Sequence, residues 1–491
     1  MEADSLPLAI VIFTFIGAFT MPFFAHWQPR VCRPMALGVI GADIVAAAYL
    51  LWSVFGSPVI HQDAGGWAPP VGIEIIGDPL AAVVLLLISV ILFLVLLYAG
   101  GAVEREIPPE RVGWYYVLVM LCAGGMMGMA VSNDLFNMYV LMEVIGLSAC
   151  ALVVARGTKP SLTAGFKYLM LTTIGSGFLL FGIGLIYSIS GHLNITFAVA
   201  GILEAEHSDY LIWVVLAFMV VGVAVKSGVF PLHFWLPDAH STAPTTSSAI
   251  LSGLVVKMYI LLLVRLLYQL YLGGDEQALV LQRFVLLIGA ASLLFGSFAA
   301  LNQLDLKRLL AYSTVAQLGY IFLGLGMMTG AGLVAAFFHI VTHATMKTLL
   351  FLSAGNLTGR VSSRKIVDLA GVGRQMPFSA AAFSLAAFSM IGFPLTAGFI
   401  TKYLLAMAGL EGGSPWPLIL VVASGLLNAA YYLPVVVTMF FGGKAQPVKG
   451  DGMPLNRLLP LGVLAVGLIV LGLLPVTGYQ IFEQAAQALV P

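Results

Sequence analysis

The sequence predicts an all-α polytopic membrane protein with about fourteen transmembrane helices, and composition, apolar segment length and charge distribution support that fold class. Its 491 residues are 60% hydrophobic and 9% charged, whereas about 25% of the residues in a soluble domain are charged. The mean hydropathy is +1.02. These values exclude an ordinary soluble globular protein.

Apolar segments long enough to cross a bilayer, which needs about 20 residues, recur along the whole chain. The predicted transmembrane segments are 6–25, 36–56, 79–102, 113–132, 134–154, 162–190, 210–231, 244–271, 279–301, 308–328, 331–355, 377–408, 415–441 and 456–475. The chain starts with Met-Glu-Ala-Asp and has no basic region before its first apolar segment. We therefore expect that segment to remain in the mature protein.

Basic residues are concentrated on one side of this predicted topology. If the first loop is cytoplasmic, fifteen of the 22 Lys and Arg residues lie in cytoplasmic loops, and Arg283 is the one predicted on the opposite side. The fifteen are Arg30, Arg33, Arg105, Arg111, Arg156, Lys159, Lys307, Arg308, Arg360, Arg364, Lys365, Arg374, Lys444, Lys449 and Arg457. By the positive-inside rule, both termini are expected on the non-cytoplasmic side of a bacterial or archaeal cytoplasmic membrane.

The first three predicted helices contain few charges. Asp43 lies near the cytoplasmic end of the second helix, where hydration through the helix end and a functional role are equally weighted interpretations. Asp78, directly before Pro79, is predicted to begin the third helix as its N-cap. The loop 57–78 is rich in Gly and Pro, which indicates a surface excursion outside the bilayer.

Ionisable residues inside the later helices are the strongest functional signal, because a charge at mid-helix costs about 2.5–3.5 kcal/mol. Glu143 lies near the centre of the fifth segment and requires a partner, although a neutral glutamic acid hydrogen-bonded inside the bundle is the structural alternative. Lys167 and Arg265 lie closer to helix ends, from which long side chains can reach the interface.

The segment 217–265 contains a predicted break in a membrane-embedded helix. Lys226 precedes the break and Lys257 follows it, both well inside the seventh and eighth spans. The residues that mark the break are Pro231, His233, Pro237, Asp238 and His240. Because proline removes a backbone donor, the freed carbonyls need protein or water partners in a bilayer. We therefore expect a polar cavity here, with Lys226 and Lys257 as the candidate partners of Glu143.

Three ionisable residues share one face of the eleventh helix. His339, His343 and Lys347 follow each other at i, i+4 and i+8, which aligns them over about 12 Å. Such a stripe favours a hydrated proton relay. Metal binding is the weaker alternative, because no Cys or carboxylate lies nearby in sequence to complete a site. In the preceding junction, Asp305 is predicted to cap the tenth helix.

The twelfth segment repeats the break. Phe393-Pro394-Leu395 matches Phe230-Pro231-Leu232 five helices earlier, and each copy has a lysine close by, Lys226 or Lys402. An odd number of helices between the copies predicts an inverted repeat. The predicted units are 1–112 (helices 1–3), 113–271 (first repeat, helices 4–8), 279–441 (second, inverted repeat, helices 9–13) and 442–491 (helix 14 and tail).

Motifs for catalysis or cofactor binding do not occur in the sequence. Cys32, Cys122 and Cys150 are scattered, without a CxxC pair, and we find neither a GxGxxG nor a GxxxxGK[ST] motif. We therefore expect no catalytic chemistry, no cofactor and no bound metal on this chain. Nucleotide or redox chemistry would occur on partner chains.

Five stretches resemble the antiporter-like membrane subunits shared by complex I (NADH:quinone oxidoreductase), the membrane-bound hydrogenases and the Mrp-type cation/proton antiporters. They are FNMYVLMEV (136–144), KSGVFPLHFWLPDAHSTAPT (226–245), DLKRLLAYSTVAQLGY (305–320), HIVTHATMKTLLFLSAGN (339–356) and GFPLTAGFITKYL (392–404). The resemblance implies fourteen helices, an inverted five-helix repeat and a polar axis along the membrane plane. It also implies proton transport, with sodium as a second candidate ion, and other membrane subunits as partners.

The resemblance further implies roles for individual residues. In chain order these are the pairing carboxylate Glu143, its lysine partner Lys226, the connecting lysine Lys257, the bridging residues His339, His343 and Lys347, and the terminal Lys402. The stretches 134–144, 191–198 and 424–436 look most like the D subunit of Mrp antiporters and its hydrogenase relatives. A proton-pumping subunit of complex I or of a hydrogenase is the alternative, although one complex I branch has a glutamate where Lys402 stands.

Two functions of other classes also remain open. An autonomous secondary transporter would bind a small solute at the two helix breaks. It is disfavoured because nearly all residues of the predicted axis are proton carriers. A structural subunit without transport is disfavoured because every position of that axis is still ionisable.

Overall fold

α-Helices make up most of the structure, a computed structural model that describes residues 5–56, 59–204, 209–271, 276–443, 452–487 and 489. The helices are α1 (Leu6–Thr20), α2 (Pro22–Ala25), α3 (Pro29–Val54), α4 (Pro79–Ala99), α5 (Val103–Glu106), α6 (Pro109–Val131), α7 (Leu135–Val154), α8 (Lys159–Ser190), α9 (Ile195–Glu204), α10 (Asp209–Ser227), α11 (Trp235–Thr242), α12 (Thr245–Ile250), α13 (Val256–Tyr271), α14 (Glu276–Leu301), α15 (Leu306–Gly326), α16 (Gly330–Val361), α17 (Val372–Gln375), α18 (Pro377–Ile391), α19 (Ala397–Glu411), α20 (Trp416–Phe441), α21 (Leu455–Leu473) and α22 (Pro475–Gln487). A π-helical turn, Leu251–Val255, joins α12 to α13, and short 3-10 turns occupy Ala64–Gly66 and Ile366–Leu369. The predicted helical membrane fold is confirmed.

Within the described residues, thirteen helices are long and apolar enough to cross a membrane. The predicted segment 377–408 differs, because it forms α18 and α19, each of 15 residues, instead of one helix. Gly392 ends α18 with a φ of 96°, a conformation that glycine adopts without steric strain. Pro394 follows and has no N–H with which to continue the helix. The predicted break at Pro394 is therefore present, and it divides the span in two.

The first break begins earlier than the sequence predicts. Gly228, with a φ of 75°, ends α10 at Ser227 instead of at the predicted position 231. Trp235 of α11 donates its indole N–H to the carbonyl of Val225 at 2.9 Å. Helix α11 thus provides a hydrogen-bond donor for one of the backbone carbonyls at the C-terminal end of α10. Lys226 consequently lies in the last turn of α10 and not well inside a span, yet it is buried.

The helices form an inner and an outer layer. The most buried spans are α6, the α12–α13 segment, α15 and α16. Outer helices such as α1, α8 and α20 expose large apolar side chains, among them Ile16, Phe181 and Leu426, which suits contact with lipid. The inner layer is where the ionisable residues of the eighth and eleventh predicted spans lie. The division into two inverted repeats stays a prediction.

A short β-hairpin, which the sequence analysis did not predict, lies in the loop between α3 and α4. Strand β1 (Ile60–Asp63) pairs antiparallel with β2 (Glu74–Gly77). Glu74 is buried, and its carboxylate accepts hydrogen bonds from the side-chain amides of Asn133 and Asn194, both at 2.7 Å. The hairpin is therefore attached to the segments that begin α7 and α9.

Acidification is expected to loosen this hairpin. Burial raises the pKa of Glu74, but hydrogen bonds from Asn133, Asn194 and His61 outweigh burial and hold that pKa below its ordinary value. A lowered folded-state pKa means that the stabilisation is complete above the unfolded pKa of about 4.3 and is lost as the pH falls through the lower folded value. Hydrogen exchange of residues 60–77, corrected for intrinsic rates, should be slow at neutral pH and accelerate below about pH 4. In the Glu74→Gln variant this response should vanish, and equal responses in both proteins would contradict the assignment.

Two predicted N-caps are confirmed, and Asp78 also has a buried cation as its partner. Asp78 accepts the N–H of Ala81 at 2.6 Å, and Asp305 accepts that of Arg308 at 3.1 Å. Asp78 also lies 2.9 Å from Arg265, whose side chain is 2% exposed. The prediction that Arg265 reaches the interface is therefore wrong, because a buried carboxylate at the start of α4 supplies its counter-charge.

Asp43 also differs from its prediction. It is 1% exposed and accepts a hydrogen bond from the Thr14 hydroxyl at 2.8 Å. The expectation that water reaches this side chain is wrong, because α1 packs over this part of α3.

Candidate functional site

Glu143 of α7 and Lys226 of α10 form an ion pair, with Lys226 Nζ 2.6 Å from Glu143 Oε1. Ser176 of α8 donates its hydroxyl to the same carboxylate oxygen. The Lys226 side chain is 1% exposed, whereas that of Glu143 is 31% exposed. Of the two lysines that the sequence offered as partners, Lys226 is the one in contact with this carboxylate. The pair joins a buried cation to an anion that reaches the molecular surface.

The exposed side of Glu143 belongs to an apolar face of α7. Phe136, Val140 and Leu147 are exposed by 46%, 43% and 58%, and their spacing places them on the same face as Glu143. A carboxylate on such a face would meet lipid unless another chain covers it. The environment of the ion pair therefore depends on whatever packs against α7.

Around the first break, Asp238 connects three helices. Its two carboxylate oxygens lie 2.8 Å from Lys167 of α8 and 3.0 Å from Arg308 of α15. Lys167 is 54% exposed and so reaches the surface as the sequence predicts. Pro237 lies in the first turn of α11, where proline is tolerated. These contacts give Asp238 a positioning role for α11.

The two histidines of the break lie in different surroundings. His233 lies in the non-helical stretch before α11, and its ring centroid is 6.1 Å from that of Tyr312. His240 is fully buried in α11 and stacks on Phe351 of α16 with ring centroids 5.0 Å apart. Neither ring nitrogen of His240 has a hydrogen-bond partner among the described residues. His240 is thus a buried, unsatisfied polar group between the first break and α16.

Lys257 is held by the π-helical turn that precedes it. Its ammonium donates to the carbonyl of Gly253 at 2.8 Å and to that of Ser252. A π-turn disturbs the regular helical hydrogen bonds, so these carbonyls can accept a side-chain donor. The cation is 1% exposed and is satisfied by backbone oxygen atoms.

Helix α16 carries the predicted stripe in the interior. The rings of His339 and His343 stack with centroids 5.4 Å apart and an interplanar angle of 5°. One turn further, Lys347 donates to the carbonyl of Leu310 at 2.8 Å and to the hydroxyl of Ser313. The ring nitrogens of His343 have no hydrogen-bond partner among the described residues. Buried polar groups of this kind are normally satisfied by ordered water.

Lys402 binds the end of the helix that the second break terminates. Its ammonium lies 3.0 Å from the carbonyl oxygen of Met390 and 2.5 Å from that of Ile391, the last residue of α18. The amide of Asn428 donates to the Met390 carbonyl at 3.0 Å, and the Tyr320 ring centroid is 5.6 Å from the ammonium. A cation is favoured here because the C-terminal end of a helix carries partial negative charge.

Lys257, Lys347 and Lys402 therefore share one arrangement. Within the part of the chain that the structure describes, none of them forms an ion pair with a carboxylate. Backbone carbonyls accept hydrogen bonds from their ammonium groups instead, together with one hydroxyl at Lys347. Lys226 is the exception, because its acceptor is the charged Glu143.

Sequence reasoning missed the neutral partners of these lysines. Ser176, Ser313 and Tyr320 contact the ionisable residues, and Asn428 donates to the same Met390 carbonyl as Lys402. Ser313 also bonds to Tyr432 at 2.9 Å. The polar run Tyr312-Ser313-Thr314 inside an apolar helix was the available signal. Hydroxyl residues are common in membrane helices, so the signal is weak.

Comparisons with known proteins give a match to one family model and relatives that align with nearly the whole chain. The family model described as NADH:quinone oxidoreductase/Mrp antiporter, transmembrane, matches residues 132–427. The chain is 35% identical to NADH-quinone oxidoreductase subunit N of Desulforudis audaxviator over 95% of both chains. It is 28% identical to the D subunit of the Na(+)/H(+) antiporter of Alkalihalophilus pseudofirmus, covering 95% of this chain and 93% of the relative.

A solved structure extends the similarity to the whole fold. A chain of the membrane-bound sulfane sulfur reductase, an archaeal respiratory membrane complex, superimposes with a TM-score of 0.92 and 29% identity, over 99% of this chain and 98% of that one. The resemblance seen in the five sequence stretches is thereby confirmed. Since the family model covers more than half of the chain and the relatives cover nearly all of it, the chain belongs to the NADH:quinone oxidoreductase/Mrp antiporter family of membrane proteins.

Proposed function

We propose that this chain is the proton-translocating, antiporter-like subunit of a multisubunit membrane complex, of the type that Mrp cation/proton antiporters contain as their D subunit. One observation carries the proposal, namely a series of ionisable side chains on the membrane helices, five of them buried and two, Glu143 and Lys402, partly exposed. The series comprises Glu143, Lys226, Lys257, His339, His343, Lys347 and Lys402. Intramembrane ionisable residues are expensive, and they mark ion and proton pathways.

In the proposed path, protons enter from the cytoplasmic side near Lys226 and pass to Lys257. They continue along the stripe of α16 and leave toward the outside from Lys402. Each lysine can release and take up a proton, and the stacked histidines connect the two halves. The driving event is a change in the Glu143–Lys226 pair, imposed by a neighbouring subunit on the exposed face of α7.

The proposed topology follows from the same features. The membrane is the bacterial or archaeal cytoplasmic membrane, and both termini lie on its outer side, because the basic loops are then cytoplasmic. The breaks at Pro231 and Pro394 belong to two inverted units, 113–271 and 279–441, whose half-helices surround the path. Residues 1–112 and 442–491 flank these units.

A second candidate function is the proton-pumping subunit of a redox complex. The 35% identity to NADH-quinone oxidoreductase subunit N and the similarity to the sulfane sulfur reductase favour it. In both candidate functions the residues of the proposed path would transfer protons in the same way. The two differ in what drives the Glu143–Lys226 pair, which is an ion gradient in one and electron transfer on partner chains in the other.

The test is to purify the native assembly through a tag on this chain and to identify its subunits by mass spectrometry. We expect small membrane subunits and, in vesicles, a pH change driven by a sodium gradient. Subunits with iron–sulfur or flavin groups would support the second candidate, and recovery of the chain alone would favour an autonomous transporter.

A matched pair of variants separates the path from nonspecific leakage. Lys257→Met removes a buried ammonium of the proposed path, whereas Lys365→Met removes one at an exposed position on the side predicted to be cytoplasmic. The first should abolish proton movement and the second should leave it unchanged. Equal transport by both assembled variants would overturn the proposed path.

A further inference from the structure

A cavity of about 380 Å³ lies where several helices meet on the side predicted to be cytoplasmic. It is formed by the C-terminal ends of α4 and α16 and by the first turns of α12, α15 and α21. Small-molecule sites in proteins have volumes of about 300–1,000 Å³. The cavity is therefore large enough for a small ligand or a headgroup.

The lining of this cavity is strongly basic. Its cationic side chains are Arg105, Arg156, Lys307, Arg360, Arg364 and Arg457, and its one carboxylate is Glu106. Burial raises the pKa of Glu106, but Lys307 and Arg156 outweigh burial and hold that pKa below its ordinary value. Glu106 is consequently ionised at neutral pH and supplies one negative charge against six positive ones.

Two of the six cations have a carboxylate partner. Arg156 pairs with Glu106, and Arg364 lies 3.3 Å from Asp305. For the other four, the described residues provide no ion pair. The cavity lining therefore carries a net positive charge, which favours the binding of an anion.

Arg457 is the cation that points most clearly to a ligand. It is 8% exposed, its guanidinium lies 5.6 Å from the centroid of the Tyr98 ring, and its Nε has no hydrogen-bond partner among the described residues. The Tyr98 hydroxyl is already bonded to Asn356 at 2.7 Å. Arg457 is thus a buried donor, held in place by the ring and available to the cavity.

We propose that this cavity binds an anion that carries a phosphate group. Guanidinium groups bind phosphate oxygens through paired, charge-assisted hydrogen bonds, and basic pockets between membrane helices on the cytoplasmic side bind lipid headgroups. Two sources share this chemistry, namely the headgroup of an anionic phospholipid and a soluble phosphate. The site lies beyond the predicted proton path, because none of the residues of that path lines it.

The test measures binding to the purified, tagged assembly with two probes, short-chain phosphatidylglycerol and inorganic phosphate, by titration calorimetry. Arg457→Gln and Arg360→Gln each remove a lining cation without a carboxylate partner. Arg374→Gln is the control, because Arg374 is an exposed basic residue on the same predicted side and does not line the cavity. Size-exclusion chromatography checks the assembly of each variant, and the Arg360→Gln protein decides the question if Arg457→Gln misfolds.

The unsubstituted protein and the Arg374→Gln control should bind the probe with equal affinity. The affinity should fall about tenfold or more in the two lining variants, because hydrogen bonds to charged groups are stronger than those between neutral groups. Binding of phosphatidylglycerol alone would support the proposal and assign a lipid source. Binding of inorganic phosphate as well would support it and show that a soluble phosphate is sufficient to occupy the site. Absence of binding, or equal affinity in all variants, would overturn it. None of these outcomes depends on proton transport.

Discussion

The Glu143→Gln variant is expected to lose coupled proton transport almost completely while still assembling with its partners. Glutamine keeps the size of the side chain and its hydrogen bond to Ser176, but removes the negative charge that lies 2.6 Å from Lys226. Leaving a buried charge without its partner costs about 3–5 kcal/mol. Lys226 would avoid that cost by giving up its proton, and the proposed transfer of protons to Lys257 would then stop.

The measurement is proton movement into vesicles that contain the purified assembly, at equal protein content. We expect a decrease of about tenfold or more, since each 1.4 kcal/mol corresponds to a factor of ten. Glu411→Gln is the control, because Glu411 is exposed at the end of α19. Ser176→Ala should have a smaller effect, because it removes a hydrogen bond and keeps both charges. Normal transport by correctly assembled Glu143→Gln protein would exclude the proposed role of the pair.

The Arg265→Met variant is expected to show the largest loss of stability. Arg265 and Asp78 are 2% and 5% exposed and lie 2.9 Å apart, and Arg265 also donates to the carbonyl of Ala130 at 3.0 Å. Methionine would leave Asp78 as an isolated buried anion. Removing one partner of a buried pair typically destabilises a protein by about 3–5 kcal/mol, which should appear as a lower unfolding midpoint in mixed micelles.

A second substitution tests the cause of this loss. Asp78→Asn keeps an acceptor for the Ala81 N–H, because asparagine is also a good N-cap, and it removes the stranded charge. The double variant should therefore regain about half or more of the lost stability. Arg283→Met, at an exposed position on the same predicted side, should change little. If the double variant is no more stable than Arg265→Met, the charge of Asp78 is not the reason for the loss.

The helix breaks were predictable because proline and glycine act through local sterics. Pro231 and Pro394 indicated the two interruptions, and the sequence also showed a lysine near each Phe-Pro-Leu stretch. The point at which each helix ends was less predictable. Gly228 stops α10 before Pro231, so the lysine expected at mid-span lies in the last turn of its helix.

Partnerships across long sequence distances were the part that the sequence could not supply. Asp78 and Arg265 are 187 residues apart, and each alone resembled an ordinary residue near a helix end. Asp43 looked accessible because only its own helix could be read from the sequence, whereas α1 covers it through Thr14. For Lys257, nothing in the sequence indicated the π-turn whose carbonyls it binds.

The way Lys257 and Lys402 are held has a mechanical consequence. Both ammonium groups donate to carbonyls at irregular points of a helix, the π-turn and the end of α18. Hydrogen bonds from a charged donor are roughly twice as strong as those from a neutral one, so a lysine that loses its proton holds its helix joint less firmly. The π-turn and the end of α18 are then more rigid when their lysine is protonated than when it is neutral. If protons follow the proposed path, their arrival at and departure from Lys257 and Lys402 would therefore change the helix geometry at these two irregular points.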